Sequence, residues 1–336
     1  GEPWRRDTLV LVFSSTKGAT ALCAHWLAER GLVDLDAPVS TYWPEFAQAG
    51  KAGIAVSHLL SHQAGLAWVD GEMSLEDALA WDPVVEALAR QEPHWEPGTK
   101  HGYHAMTFGW LVGEVVRRAS GRRIGQLFRE AVAGPLALDF WIGLPAAGEP
   151  RVARLHGSAE PGGQDWGQAV EGLAGGKDSV LVKALNAPGG AFRRPGVWNL
   201  RQVRAAEVPA ANGVGDARSL ARMYAATLGE VQGTRVLGPS QLAVASAQAT
   251  SGPDAVLMGL DIQFGLGFMV PSSLTRLGGP RSFGHFGAGG SVGWADPDAE
   301  LAVGYVMNRM DVGLAGDRRS FRLVRATYEA AGRLGA

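Results

Sequence analysis

The strongest constraint on this chain is a change of pattern near residue 256. Before it, apolar residues recur at helical spacing; after it, short apolar runs alternate with Gly-rich and Asp-Pro-Asp turns. Residues 9–13 (LVLVF) read as a buried strand or extended segment, and residues 19–30 as a helix stopped by Gly31. Residues 74–92 carry apolar positions at Leu75, Ala78, Leu79, Val84, Val85 and Leu88, the stripe of one amphipathic helix. Residues 105–120 form the clearest helix, through Phe108, Leu111, Val112, Val115 and Val116, with Gly121 just beyond. Further helices are expected at 124–133, at 216–229 and, closing the chain, at 318–333. Residues 143–215 are rich in Pro and Gly, the composition of a lid or pocket wall. Three strands follow, at 282–287, 291–295 and 301–308. The order is helices first and a meander last, an α+β arrangement that lacks the alternation of a doubly wound sheet.

Composition narrows the function. With 336 residues, 46% hydrophobic, the chain can bury a large core, and a globular enzyme is the default. A formal net charge of −2 without a basic face argues against nucleic acid as a partner. No apolar run approaches the ~20 residues that cross a bilayer, and no leader stands at the start, so no membrane partner and a cytoplasmic location are expected. The lone Cys23 lies in an Ala/Leu-rich helical stretch and reads as packing. His58 and His62 stand four apart, yet no H-E-x-x-H or carboxylate cluster accompanies them, so no metal and no cofactor is expected.

Three segments can carry chemistry. Ser14-Ser15-Thr16-Lys17 places a hydroxyl and an amine three residues apart at a helix start, where i and i+3 share a face. A serine hydroxyl needs a neighbouring base, and a desolvated lysine can serve where arginine cannot, because arginine keeps its proton. An ordinary helix start with a solvated lysine would read the same, so this motif alone is weak. The second segment, 97–105 (PGTKHGYHA), offers Tyr103 on a loop ahead of a helix; its phenol can act as a base if a cation such as Lys17 lowers its pKa. The third, 282–290 (SFGHFGAGG), is a strand with His285 followed by small residues, where substrate can approach the backbone and N–H groups can form half of an oxyanion hole. A rival signal is Gly289-Gly290-Ser291-Val292-Gly293, which fits G-x-S-x-G; strands flank it and no His follows, so Ser291 reads as a hairpin residue.

In this order the three segments resemble the motif set of the serine β-lactamases, the D-alanyl-D-alanine peptidases and related esterases: S-x-x-K, a Tyr motif, and a K-T-G motif that many esterase relatives replace with H-x-G. VSHLLSHQAGL (56–66), WEPGTKHGYH (95–104) and VPAANG (208–213) strengthen the resemblance, which covers almost the whole chain. It implies an antiparallel sheet flanked by helices (1–65 and 205–336) plus a mostly helical domain with pocket-lining loops (66–204). It implies Ser14 as nucleophile, with Lys17 and Tyr103 sharing proton transfer and Tyr103 activating the deacylating water. The N–H groups of Ser14 and Ala288 would hold the oxyanion, and His285, Gly287 and His104 would contact substrate. Ala105 stands where the family's Asn binds an amide, and His285 where its Lys binds a carboxylate. Both departures shift the expectation from β-lactamase or D-amino peptidase toward the family VIII carboxylesterase branch, with a small-molecule ester or acyl substrate. An acyltransferase using the same acyl-enzyme, and a catalytically dead module, remain alternatives. The tryptophans, Trp166, Trp198 and Trp294 among them, suggest an aromatic pocket. Relatives carry a longer segment before S-x-x-K, where only thirteen residues stand here, so strand 301–308 is expected as an uncovered apolar edge, awaiting a hairpin or a second protomer, a possible homo-oligomer.

Overall fold

A computed structural model describes residues 3–157, 166–275, 278–311 and 317–332; positions 161–163 of the expected loop, and Arg333, lie outside them. The helices run α1 (Thr16–Glu29), α2 (Val56–Leu60), α3 (Leu75–Leu79), α4 (Asp82–Arg90), α5 (Thr107–Ser120), α6 (Ile124–Phe128), α7 (Trp166–Leu173), α8 (Val180–Leu185), α9 (Arg201–Ala205), α10 (Ala217–Leu228), α11 (Pro239–Ser246) and α12 (Arg318–Ala330). The strands are β1 (Val10–Leu11), β2 (Phe140–Trp141), β3 (Val214–Gly215), β4 (Gln263–Phe264), β5 (Met269–Val270), β6 (Phe283–Phe286), β7 (Val292–Asp296) and β8 (Leu301–Tyr305). They form a three-stranded antiparallel sheet in the order β1-β3-β2 and a five-stranded antiparallel sheet in the order β4-β5-β6-β7-β8. The α+β expectation holds.

α1 is the axis of the molecule. It is enclosed on nearly all sides: Ala19, Leu22, Cys23 and Leu27 have no exposed surface, nor have its polar residues Thr16, Lys17, Thr20 and His25. Burying each such leucine contributes about 2 kcal/mol. α1 packs against α5 on one side and β6 on the other, so its first turn lies where the helical layer meets the large sheet. α10 covers β7 and β8.

Three expectations change. The stripe at 74–92 is two helices, because Trp81 takes φ 75 and Pro83 starts a new first turn. Residues 124–133 begin as α6 but loosen into a π-turn from Arg129 to Ala133. The last strand ends at Tyr305, because the backbone at Asn308 and Met310 bonds to His156 instead. β8 pairs with β7 alone, and among the described residues no strand adds to its other edge. None of the described helices is long and apolar enough to cross a membrane.

Candidate active site

The chain enters α1 through a tight turn at Phe13–Ser15. Phe13 has φ 46, a left-handed backbone that a bulky residue adopts only when its surroundings impose it. The surroundings are hydrogen bonds to both sheets. Val12 N–H donates to Gly213 O at 2.8 Å, and Gly213 N–H to Thr16 Oγ1 at 2.8 Å. Ser291 Oγ donates to Val12 O at 2.6 Å and lies 3.1 Å from Ser15 Oγ. Ser15 Oγ also donates to His285 O at 3.2 Å. Ser291 is thus a buried tether in the β6–β7 connection, as its hairpin setting suggested, and no nucleophile elbow exists there. Ser14 remains partly exposed at the end of the turn.

One turn on, the Lys17 side chain is fully buried. Its Nζ lies 2.7 Å from Ala105 O, 3.0 Å from Ala210 O and 3.1 Å from Ser14 Oγ. Burial holds its pKa well below the ordinary lysine value. The geometry suits a neutral amine: two N–H bonds go to the two carbonyls, and the lone pair is left for the Ser14 O–H. Buried Asn212 shapes the loop that presents Ala210 O, accepting from Val208 N–H at 2.9 Å and donating to Val203 O at 2.8 Å.

Tyr103 is nearly buried, its ring centroid 4.8 Å from Lys17 Nζ and 6.0 Å from that of His285. Burial pushes its phenol upward, a hydrogen bond with Ser14 opposes the shift, and the Asp254 charge adds to it. This reverses the expectation that Lys17 lowers the phenol's pKa: desolvation outweighs the neighbouring amine, which is itself held toward neutrality. Tyr103 therefore keeps its proton at neutral pH, and Lys17 is the stronger candidate for resting-state base.

The histidines divide. His285 donates from Nδ1 to Phe286 O at 2.7 Å, while its buried Nε2 has no protein partner among the described residues. Burial, first, and the nearby Lys17 charge, second, lower its pKa to about 3, so the third segment presents a neutral ring. His104 is fully buried: its Nδ1 donates to Gly102 O at 2.6 Å and its Nε2 accepts from Leu66 N–H at 2.9 Å. Both nitrogens are committed to backbone, so His104 has no ring hydrogen bond to offer a substrate; it holds the Tyr103 loop. His62 lies past the end of α2 with φ 61 and accepts from His104 N–H at 3.1 Å, a further brace on that loop.

The two residues expected to supply oxyanion donors sit in short turns, Ser14 in the entry to α1 and Ala288 just after β6. Gly289 supplies the turn after Ala288 with φ 79. Gly287 is glycine for a packing reason: a Cβ there would lie 2.1 Å from Val12 O. Its lack of a side chain lets the β6–β7 tip rest on the nucleophile turn.

Against known proteins, the family model described as Beta-lactamase matches residues 1–326. The chain belongs to the beta-lactamase family. Within this family it is 37% identical over 314 residues to the esterase/beta-lactamase LipL of Mycobacterium tuberculosis, an alignment covering 92% of this chain and 71% of LipL. A crystal structure of a family VIII carboxylesterase superposes with a TM-score of 0.87 at 38% identity, covering 98% of this chain and 85% of that one. EstA from Arthrobacter nitroguajacolicus Rue61a gives a TM-score of 0.87 at 35% identity, covering 100% and 88%.

One residue next to the beta-lactamase-family motifs escaped the sequence reading. Asp254 is fully buried and accepts from Tyr103 N–H at 3.2 Å, Val256 N–H at 2.8 Å and Leu257 N–H at 2.7 Å. It fixes the backbone of the tyrosine loop from across the molecule. Its only sequence signal is the turn Gly252-Pro253-Asp254, which marks a bend and not a partner. Ala105, where the family usually has Asn, serves through its carbonyl, which any residue supplies. Of the three tryptophans, Trp198 borders a cavity beside the site and Trp294 is packed in the core, while the Trp166 side chain lies outside the described parts.

Proposed function

We propose that the chain is a serine esterase that hydrolyses small carboxylic esters through an acyl-enzyme on Ser14. One observation carries the reading: a fully buried Lys17 amine lies between two carbonyls and 3.1 Å from Ser14 Oγ. Lys17 accepts the Ser14 proton as Oγ attacks the ester carbonyl carbon. The negative charge on the former carbonyl oxygen rests on Ser14 N–H and Ala288 N–H. The C–O bond to the alcohol breaks as that oxygen receives the proton, relayed from Lys17 through the protonated Tyr103 phenol. Water then attacks the acyl carbon, gives its proton back along the same relay, and Ser14 departs with a proton to leave the free acid. Relatives described as esterases support the substrate class. The neutral His285 and the missing Asn at 105 leave little to hold the carboxylate and amide of a β-lactam, which favours esters over that substrate.

Incubation with a short-chain p-nitrophenyl ester, followed by nitrophenol release and intact mass at early time, tests this. A transient acyl adduct is expected on the parent and none on Ser14→Ala. Turnover retained by Ser14→Ala, or an adduct elsewhere, would overturn the assignment.

A further inference from the structure

A second chamber opens beside the nucleophile. Its volume is about 200 Å³, and its apolar wall includes Phe13, Leu155, Val182, Phe192, Trp198 and Met310. Two of these touch the catalytic elements: Phe13 precedes Ser14, and Met310 packs on Gly289, next to the oxyanion donor Ala288. Phe192 and Trp198 stack with centroids 4.9 Å apart and planes 10° apart, and Trp198 meets Phe13 edge-on at 5.3 Å. Since a cavity of about 150 Å³ takes a benzene ring, this one has room for a phenyl group or a short alkyl chain.

The chamber's mouth is cationic and unbalanced. Arg154, Arg193 and Arg194 line it, and all three are exposed. Elsewhere the arginines beside this cleft are paired: Arg151 with Asp139, Arg204 with Glu149, Arg319 with Asp317. Among the described residues the three at the mouth have no carboxylate partner, and no Asp or Glu lines the chamber. Guanidinium groups present paired N–H donors that match a carboxylate. The β6 end of the site lacks such a charge, because His285 is neutral.

We propose that this chamber selects half-esters of dicarboxylic acids, with the apolar body on Phe192 and Trp198 and the free carboxylate held by Arg154, Arg193 and Arg194. The inference rests on the esterase reading and names the substrate that reading leaves open. The anion sits at a solvated rim, so its recognition weakens as salt rises.

The test compares p-nitrophenyl half-esters of glutaric, adipic and suberic acids with their methyl-capped neutral counterparts. At the best chain length the half-ester is expected to exceed its capped partner in kcat/KM by about tenfold, the sum of several exposed ion pairs. In the triple variant R154Q/R193Q/R194Q that ratio should collapse toward one, as it should for the parent in concentrated salt. A ratio at or below one at every length, or one unmoved in the triple variant, overturns the proposal. If neither ester type is turned over and no adduct forms on Ser14, the esterase reading fails instead. Calorimetry on Ser14→Ala then decides the chamber separately: 4-phenylbutyrate binding more tightly than 4-phenylbutanol, with the preference lost in the triple variant, sustains the anion site, and equal binding sinks it.

Discussion

Two of the chain's five lysines are buried, and their surroundings differ by one atom. Lys51 Nζ lies 3.0 Å from Gln48 O, 2.9 Å from Ala89 O and 2.6 Å from Gln91 O. Two of these carbonyls end α4, where the last turn leaves acceptors unpaired and favours a cation. Every hydrogen of the ammonium has a place, and losing one would leave a carbonyl facing a lone pair. Lys17 has two carbonyls and, as third partner, the hydroxyl of Ser14. A hydroxyl can donate as well as accept, so here the amine can lose a proton without orphaning an acceptor. Burial lowers both pKa values, that of Lys51 to about 8 and that of Lys17 well below the ordinary lysine value. Desolvation prepares a base; the third partner decides whether the base has anything to deprotonate.

The sharpest way to break this comparison is to forbid deprotonation at both positions. Lys17→Arg is expected to lower kcat/KM for a p-nitrophenyl ester by about 10³-fold, within the range of a lost general base. Lys51→Arg should cost less than tenfold per folded molecule. Equal losses would mean that Lys17 acts as a fixed charge and not as a base.

Stability should rank the two lysines the other way. Lys51→Met removes three hydrogen bonds from one buried and two partly buried carbonyls, which should cost about 3 kcal/mol in urea unfolding. Lys17→Met strands only two carbonyls and removes a group that folding holds toward neutrality, so its cost should be smaller by about 1 kcal/mol. A larger cost at Lys17 would place the scaffold, and not the chemistry, at the head of α1.

The pH dependence follows from the same burial. Lys17 has a folded pKa below that of the unfolded chain, so the unfolded state holds more protons between the two values, and stability rises with pH across that window. Activity should rise as Lys17 becomes neutral, giving kcat/KM an acid limb. His25, His104 and His285 have pKa values lowered to about 4, 3 and 3, chiefly by burial. They are neutral in the folded state at pH 6.5, so no limb is expected there. Below that pH the unfolded chain takes up protons that the folded chain refuses, so stability should fall from about pH 6.5 downward, by modest steps resolvable in thermal scans.

The contrast between the lysines also marks what a sequence can and cannot display. Ser14, Lys17 and Tyr103 stood out because the roles proposed for them restrict residue type. The carbonyls of Ala105 and Ala210 were not, because any residue carries one; only the fold brings them to Lys17. Lys51 carried no motif at all. Asp254 acts across some 150 positions on a backbone N–H, a partner that spacing does not reveal. The main helices were visible from their apolar stripes. β1 was visible as part of the apolar run 9–13, whereas β2 and β3 were not resolved as strands because each has two residues, too few for a period. The break at Trp81 escaped because a left-handed φ at a tryptophan carries no residue-type signal. The backbone bonds of His104 were not legible either, because its place beside Tyr103 suggested only a pocket residue.

The smallest expected effect tests how far the Lys17 arrangement is built in advance. Ser291 ties Val12 O and Ser15 to the β6–β7 tip, and so fixes the turn that presents Ser14. Ser291→Ala should cost about 1 kcal/mol of stability, one buried hydrogen bond, with kcat/KM reduced only a few-fold, because Val12 N–H and Thr16 still hold the turn to Gly213. If activity instead drops a hundredfold at unchanged stability, the 3.1 Å approach of Lys17 to Ser14 depends on the large sheet's grip and not on the first turn of α1. The difference between the two lysines would then lie not in their own shells but in a contact made from the opposite layer of the fold.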